Sequence, residues 1–135
     1  METTSSTWTF EEDVPLLACG VDSEQIERFR GMDLEGNPMP LVFTDREVAR
    51  AAASERPERV LCACYCCKEA VLKALKEPYD FADCELILEG AADRERIGLA
   101  EALMARRGIS RAVARILPEA DGEEEVTLVV YLFGF

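Results

Sequence analysis

The sequence predicts an α+β fold, a mostly antiparallel sheet packed against helices. Three observations carry that expectation. Two apolar runs near the C-terminus, RAVARIL and VTLVVYLF, read as strands joined by PEADGEEE, whose Asp121-Gly122 is a hairpin turn signal. A long apolar segment opened by Pro57 has helical periodicity. Finally, 135 residues suit one core rather than two.

The elements follow in order. Residues 1–14 are polar and expected to be frayed, so the domain spans 15–135. After Pro15, LLACGVD is a short apolar run ending at Asp22 and predicts a buried strand. Ser23 is a candidate cap for a helix EQIERFR, with Ile26 and Phe29 three apart on its inner face and Gly31 ending it. MDLEGNPMP is a loop by its turn formers. Thr44-Asp45-Arg46-Glu47 fits a capping box and opens a short helix through about Ser54. PERVLCACYCCKEAVLKALKE is the longest helix and stops before Pro78. CELIL predicts a strand, and DRERIGLAEALMARR an amphipathic helix with Ile97, Ala100, Leu103 and Met104 inward and Gly108 as its C-terminal cap. The two C-terminal strands complete the order βαααβαββ.

Composition narrows the function. Against 15 Lys+Arg stand 27 Asp+Glu, a formal charge of −12. Nucleic acid is excluded as a partner, because phosphate backbones are bound by clustered Lys and Arg. The charge is uneven: residues 1–27 hold seven acids and no base, whereas Arg28 to Lys73 hold eight bases and seven acids, so an anion site belongs in the middle third. No apolar stretch approaches the roughly 20 residues of a membrane helix. The N-terminus lacks the basic start and apolar core of a secretory signal, so a cytoplasmic location is expected. Of six cysteines, four form C-x-C-x-C-C (Cys62, Cys64, Cys66, Cys67) inside the long helix, and the chain has no histidine. That spacing on a helix is unlike paired zinc ligands on loops, and the cysteines read as small buried hydrophobes in a reducing compartment.

One constellation bears chemistry. Asp22 lies at the end of the first strand, and Lys68-Glu69 and Lys73 lie in the long helix, Glu69 and Lys73 one turn apart. Mg²⁺ takes carboxylate oxygens, usually one or two from the protein with water and substrate phosphate supplying the rest. Asp22 and Glu69 would form such a pair if strand packs on helix, and Lys73 would meet a phosphate oxygen as a point charge. The competing reading is a solvated Glu–Lys pair worth a few tenths of a kcal/mol.

GVDSEQIERFR (20–30) resembles the GxDxxxIxRF signature of the holo-acyl-carrier-protein synthase family, and CYCCKEAVLKAL (64–75) resembles its RFAAKEAVLKAL motif, with FTDREVA between them similar to a third family segment. These synthases form part of the 4'-phosphopantetheinyl transferase superfamily. The resemblance implies that fold and a Mg²⁺-dependent transfer of phosphopantetheine from coenzyme A to a serine of an acyl carrier protein. It implies Asp22 and Glu69 as metal ligands, Glu69 as the residue that helps deprotonate the serine, Lys73 as neutralising the phosphate, and Lys68 as a coenzyme phosphate contact. Glu24 is either a third ligand or an exposed first-turn acid favoured by the helix dipole. Arg28 matches the family arginine whose helix docks the carrier protein, and Arg30, Arg46, Arg50, Arg56 and Arg59 are either a wider docking patch or scattered solvated charges. A homotrimer with sites between subunits is implied as well. Three departures favour an alternative, a divergent, catalytically weak homologue that binds coenzyme A or a carrier protein. Cys64 replaces the family arginine, the S-x-S-H motif has no counterpart, and the charge is poorly suited to steering toward an acidic partner.

Overall fold

A computed structural model describes residues 14–88, 94–118 and 124–135. Strand β1 (Leu16–Gln25) leads into a 3-10 turn (Ile26–Phe29), followed by helices α1 (Asp45–Ala52) and α2 (Pro57–Leu75). A second 3-10 turn (Phe81–Asp83) precedes β2 (Cys84–Ile87) and β3 (Glu95–Leu99), and α3 (Glu101–Arg107), β4 (Ile109–Ile116) and β5 (Glu125–Gly134) complete the order. The five strands form one sheet in the order β1-β5-β4-β3-β2, and every pairing is antiparallel. The α+β expectation is met. Among the described residues no helix is long and apolar enough to cross a membrane.

Local chemistry explains the helices. The Thr44 side chain accepts from the Glu47 N–H while the Glu47 carboxylate accepts from the Thr44 N–H, completing the predicted capping box. Pro57 sits in the first turn of α2, and Lys76 at φ 61° ends it, its N–H bonding the Leu72 carbonyl. Helix α2 packs across β1 and β5. Val126, Leu128, Val130 and Leu132 of β5 are buried, and the small residues Ala63, Cys66, Cys67, Ala70 and Ala74 of α2 are buried with them. Gly20 of β1 goes further: a Cβ there would overlap the Ala70 carbonyl oxygen and stand 3.0 Å from the Ala74 nitrogen. Only glycine lets the strand approach that closely.

A buried ion pair fastens the other end of the layer. Glu47 and Lys68 are both fully buried, with Lys68 Nζ 2.9 Å from Glu47 Oε1. Glu47 Oε2 accepts from the Leu86 N–H at 3.0 Å. Lys68 also donates to the Phe81 and Cys84 carbonyls. Every ammonium hydrogen is therefore used, which is what a buried charge requires. Burial works against the Lys68 ammonium, but the Cys84 sulfur and the Glu47 carboxylate outweigh it, and its pKa lies above the ordinary lysine value.

Two predicted elements come out differently. Strand β1 does not stop at Asp22 but continues to Gln25, pairing Ser23 with Thr127, Glu24 with Val126 and Gln25 with Glu125. Ser23 Oγ meets Thr127 Oγ1 at 2.7 Å instead of capping a helix. The expected helix shrinks to the 3-10 turn at Ile26–Phe29, which has no side-chain cap. One turn before Gly31 is too short to repay helix nucleation against cross-strand pairing. Ile26 and Phe29 are nevertheless buried, since their spacing of three suits a 3-10 turn. Nor is β1 a buried strand: Gly20 alone within it is fully buried, as befits a sheet edge with one face on α2.

Likewise, the segment expected as one helix divides at Ala100 into strand β3 and helix α3. Glu95 and Ile97 point inward on β3 and Leu103 inward on α3, so the apolar positions satisfy both periods and sheet pairing decides between them. Gly108 caps α3 at φ 69° as expected. Asp121-Gly122 and the polar N-terminal residues 1–13 lie outside the described residues.

Removing one partner of the buried pair leaves the other charge stranded. Lys68→Met should lower unfolding free energy by about 3–5 kcal/mol in urea titration. A loss below about 1 kcal/mol would show that the pair carries no such weight.

Candidate active site

Tyr65, Glu69 and Lys73 recur every four residues and occupy one face of α2. None of the three is fully buried, although α2 is otherwise mostly interior. Asp22 and Glu24 alternate with exposed residues along β1 and so share its helix-facing side with Gly20. The close strand–helix contact at Gly20 thus sets the carboxylates of β1 beside the polar face of α2.

Lys73 joins the two elements. Its ammonium donates to Asp22 Oδ1 at 2.9 Å and to the Val21 carbonyl at 3.1 Å. The Asp22 side chain is 12% exposed, and its second oxygen, Oδ2, is buried with no hydrogen-bond partner. A desolvated carboxylate oxygen left unpaired is costly and is the feature of this site that calls for a cation or donor. Glu69 acts on the same lysine: the Asp22 hydrogen bond and then the charges of Asp22 and Glu69 raise the Lys73 pKa, against a lowering by desolvation. Glu69 Oε2 accepts from the Tyr65 hydroxyl at 3.1 Å.

Arg28 closes the row. Its guanidinium lies 2.7 Å from Glu24 Oε2 and 4.8 Å from the centre of the Tyr65 ring. Hydrogen bonding to Tyr65, ahead of the Glu24 charge, raises its pKa despite desolvation. Polar groups therefore run from Asp22 and Lys73 through Glu69 and Tyr65 to Arg28 and Glu24.

The predicted site residues divide. Asp22 and Lys73 are in contact, and Glu69 lies one turn from Lys73 on the same helix face, with its charge acting on the ammonium. Glu24 lies alongside, but its carboxylate is engaged by Arg28 and by the Gln25 N–H rather than turned to Asp22. Among the described residues no group of three or more His, Cys, Asp or Glu side chains is arranged to hold a metal. Two carboxylates, the free Asp22 oxygen first, have the chemistry that a hard divalent cation would take. Lys68 departs from expectation. One position round the helix from Glu69, it turns inward, and with all its hydrogens taken by Glu47, Phe81 and Cys84 it has none for a coenzyme phosphate. Tyr65 was not singled out in the sequence; the signal was its place four residues before Glu69.

The wider arginine patch is charge-compensated. Arg30 pairs with Glu27, Glu58 and Glu124, Arg46 with Glu85, Arg56 with Glu124, and Arg50 donates to the Leu86 carbonyl. Five cysteines are buried as read, but Cys19 is exposed on β1. On α2, Cys62 and Cys66 bond the Glu24 and Val126 carbonyls, whereas Cys64 sits by Glu47 and Cys67 by Cys84.

The chain is similar to known proteins in sequence and in fold. A family model described as 4'-phosphopantetheinyl transferase superfamily matches residues 18–120. The fold is similar to that of holo-[acyl-carrier-protein] synthase from Neisseria meningitidis, with a TM-score of 0.70 and 18% identity over 87% of this chain and 98% of that one. The acyl carrier protein synthase of Mycobacterium tuberculosis gives a TM-score of 0.65 and 21% identity over 90% of this chain and 100% of that one. The Helicobacter pylori synthase, solved in complex with coenzyme A, gives 0.66 and 19% over 84% and 98%. No curated protein matches the sequence.

With its folded pKa above the ordinary 10.5, Lys73 contributes its pairing stability in full below that value and loses it as pH rises through the raised pKa. Being more than half exposed, the pair is worth little energetically, so the titration itself is the better observable. Asp22→Asn should lower the Lys73 midpoint in an NMR titration of the lysine side chains; an unmoved midpoint would dissociate the two groups.

Proposed function

The chain belongs to the 4'-phosphopantetheinyl transferase superfamily, and from that premise we propose that it moves 4'-phosphopantetheine from coenzyme A to a serine of an acyl carrier protein. The observation that carries the reading is the unpartnered, buried Asp22 Oδ2 beside the Lys73 ammonium, on which the Glu69 charge also acts. A carboxylate oxygen with no protein partner suits a Mg²⁺ ion shared with a substrate pyrophosphate. Coenzyme A is the substrate of choice because the similar Helicobacter pylori and Bacillus anthracis synthases were solved with it.

In this mechanism the serine oxygen attacks the phosphorus that bears pantetheine. A new P–O bond forms as the bond to 3',5'-ADP breaks. Mg²⁺, when bound through Asp22 and Glu69, supplies charge neutralisation to the pyrophosphate. Lys73 already spends two of its three hydrogens on Asp22 and Val21, which leaves one for a non-bridging phosphate oxygen as negative charge develops. The serine proton passes to Glu69 or to a water that it holds. Arg28, half exposed at the rim, is placed to meet an acidic carrier protein while keeping its bond to Glu24. Glu24 contributes by holding Arg28, and Lys68 contributes stability only.

A homotrimer in the cytoplasm belongs to the same proposal. Leu17 and Val21 of β1, on the side of the strand away from Gly20, are 42% and 49% exposed. A second copy would remove that apolar surface from water. One observation favours the weaker alternative, a homologue that only binds coenzyme A or a carrier. Cys64, which stands where the related motif has arginine, is fully buried against Glu47 and Lys68, so no cation reaches the site from that position.

Incubation with coenzyme A, Mg²⁺ and apo carrier proteins should add one phosphopantetheine by intact-mass spectrometry. Glu69→Gln and Asp22→Asn should each reduce the rate at least a hundredfold without loss of fold. Coenzyme A binding with no transfer to any carrier would select the binding-only reading.

A further inference from the structure

Tyr65 has a role that the transferase reading does not assign. Its ring is fixed on three sides: Phe29 at 5.5 Å and Phe81 at 6.3 Å between ring centroids, and the Arg28 guanidinium 4.8 Å from its own ring centre. Neither rotation nor withdrawal is open to it without breaking that packing. From this anchored ring the hydroxyl donates to Glu69 Oε2 at 3.1 Å. Arg28, which reaches the same phenol, is in turn held by Glu24 at 2.7 Å.

We propose that Tyr65 is a positioning residue that fixes the carboxylate of Glu69 for cation binding, with Arg28 and Glu24 bracing it from behind. The inference rests on the assignment of Asp22 and Glu69 as cation ligands. A glutamate on an exposed helix face has three rotatable bonds and many orientations in water. One hydrogen bond to Oε2 from a rigid donor removes most of them and leaves Oε1 as the oxygen available to a cation. Hydrogen-bond donors behind a metal ligand commonly govern affinity by 10–100-fold. The arrangement also explains why Glu24 does not join the ligand set: its carboxylate is committed to the brace.

The test reads Mn²⁺ binding directly, by the electron paramagnetic resonance signal of the free ion, in the full chain with coenzyme A present. Tyr65→Phe keeps the ring and deletes only the hydroxyl. It should weaken Mn²⁺ binding about tenfold and lower kcat comparably, with KM for the carrier protein unchanged and the melting temperature of the metal-free protein within about 2 °C. Arg28→Met should weaken Mn²⁺ less, and adding it to Tyr65→Phe should cost nothing more, since the brace acts only through the phenol. Tyr65→Phe with wild-type Mn²⁺ affinity would overturn the proposal while Asp22→Asn still abolished binding, leaving the ligand assignment intact. Mn²⁺ binding that survives Asp22→Asn, or is absent from the wild type, would overturn both together.

Discussion

Everything at the candidate site depends on how near an edge strand can come to a helix. Among the described residues strand β1 pairs with β5 alone, so its position over α2 is set by packing on the helix. At Gly20 there is no side chain, and the backbone comes close to the Ala70 carbonyl and the Ala74 nitrogen. Two residues along the same face lies Asp22, and one residue before Ala74 on the helix lies Lys73. That proximity is what lets one ammonium bond both the Val21 carbonyl and the Asp22 carboxylate. A larger residue at position 20 would move the strand outward and part those groups, whatever the identity of the acid and the lysine.

The two lysines of the K-E-x-x-x-K segment show how a helix assigns roles by angle. Lys73 follows Glu69 by four residues and shares its exposed face, while Lys68, a hundred degrees round, is enclosed with Glu47. One motif thus serves both the surface chemistry and the interior. The inward lysine ties α2 to α1, to β2 and to the turn at Phe81–Asp83, so the helix that carries Glu69 is immobilised by its own neighbour in sequence.

The parts of the fold legible in the sequence were those with local causes. A capping box at Thr44 and Glu47, a proline in the first turn of α2 and a left-handed glycine after α3 act within four residues of themselves, and all are where the sequence puts them. What eluded sequence reasoning was decided by partners far along the chain. Ser23 bonds a threonine 104 positions away and becomes strand rather than cap. Ile97 fits a helical period as well as a strand, and only the neighbouring strands β2 and β4 choose. The site shows the same division: spacing on α2 joins Glu69 to Lys73 and to Tyr65, but nothing local revealed that Lys68 would find a buried glutamate.

The buried thiols have a consequence of their own. Cys62, Cys64, Cys66, Cys67 and Cys84 are shut inside, and desolvation helps to push the thiols of Cys64, Cys66 and Cys67 up, out of the reactive thiolate form. Cys19 alone stands in solvent. An alkylating reagent will therefore mark one sulfur at once and the other five only as fast as the core breathes open. The chain carries its own clock for that opening, four of its five marks set in the helix that holds Glu69.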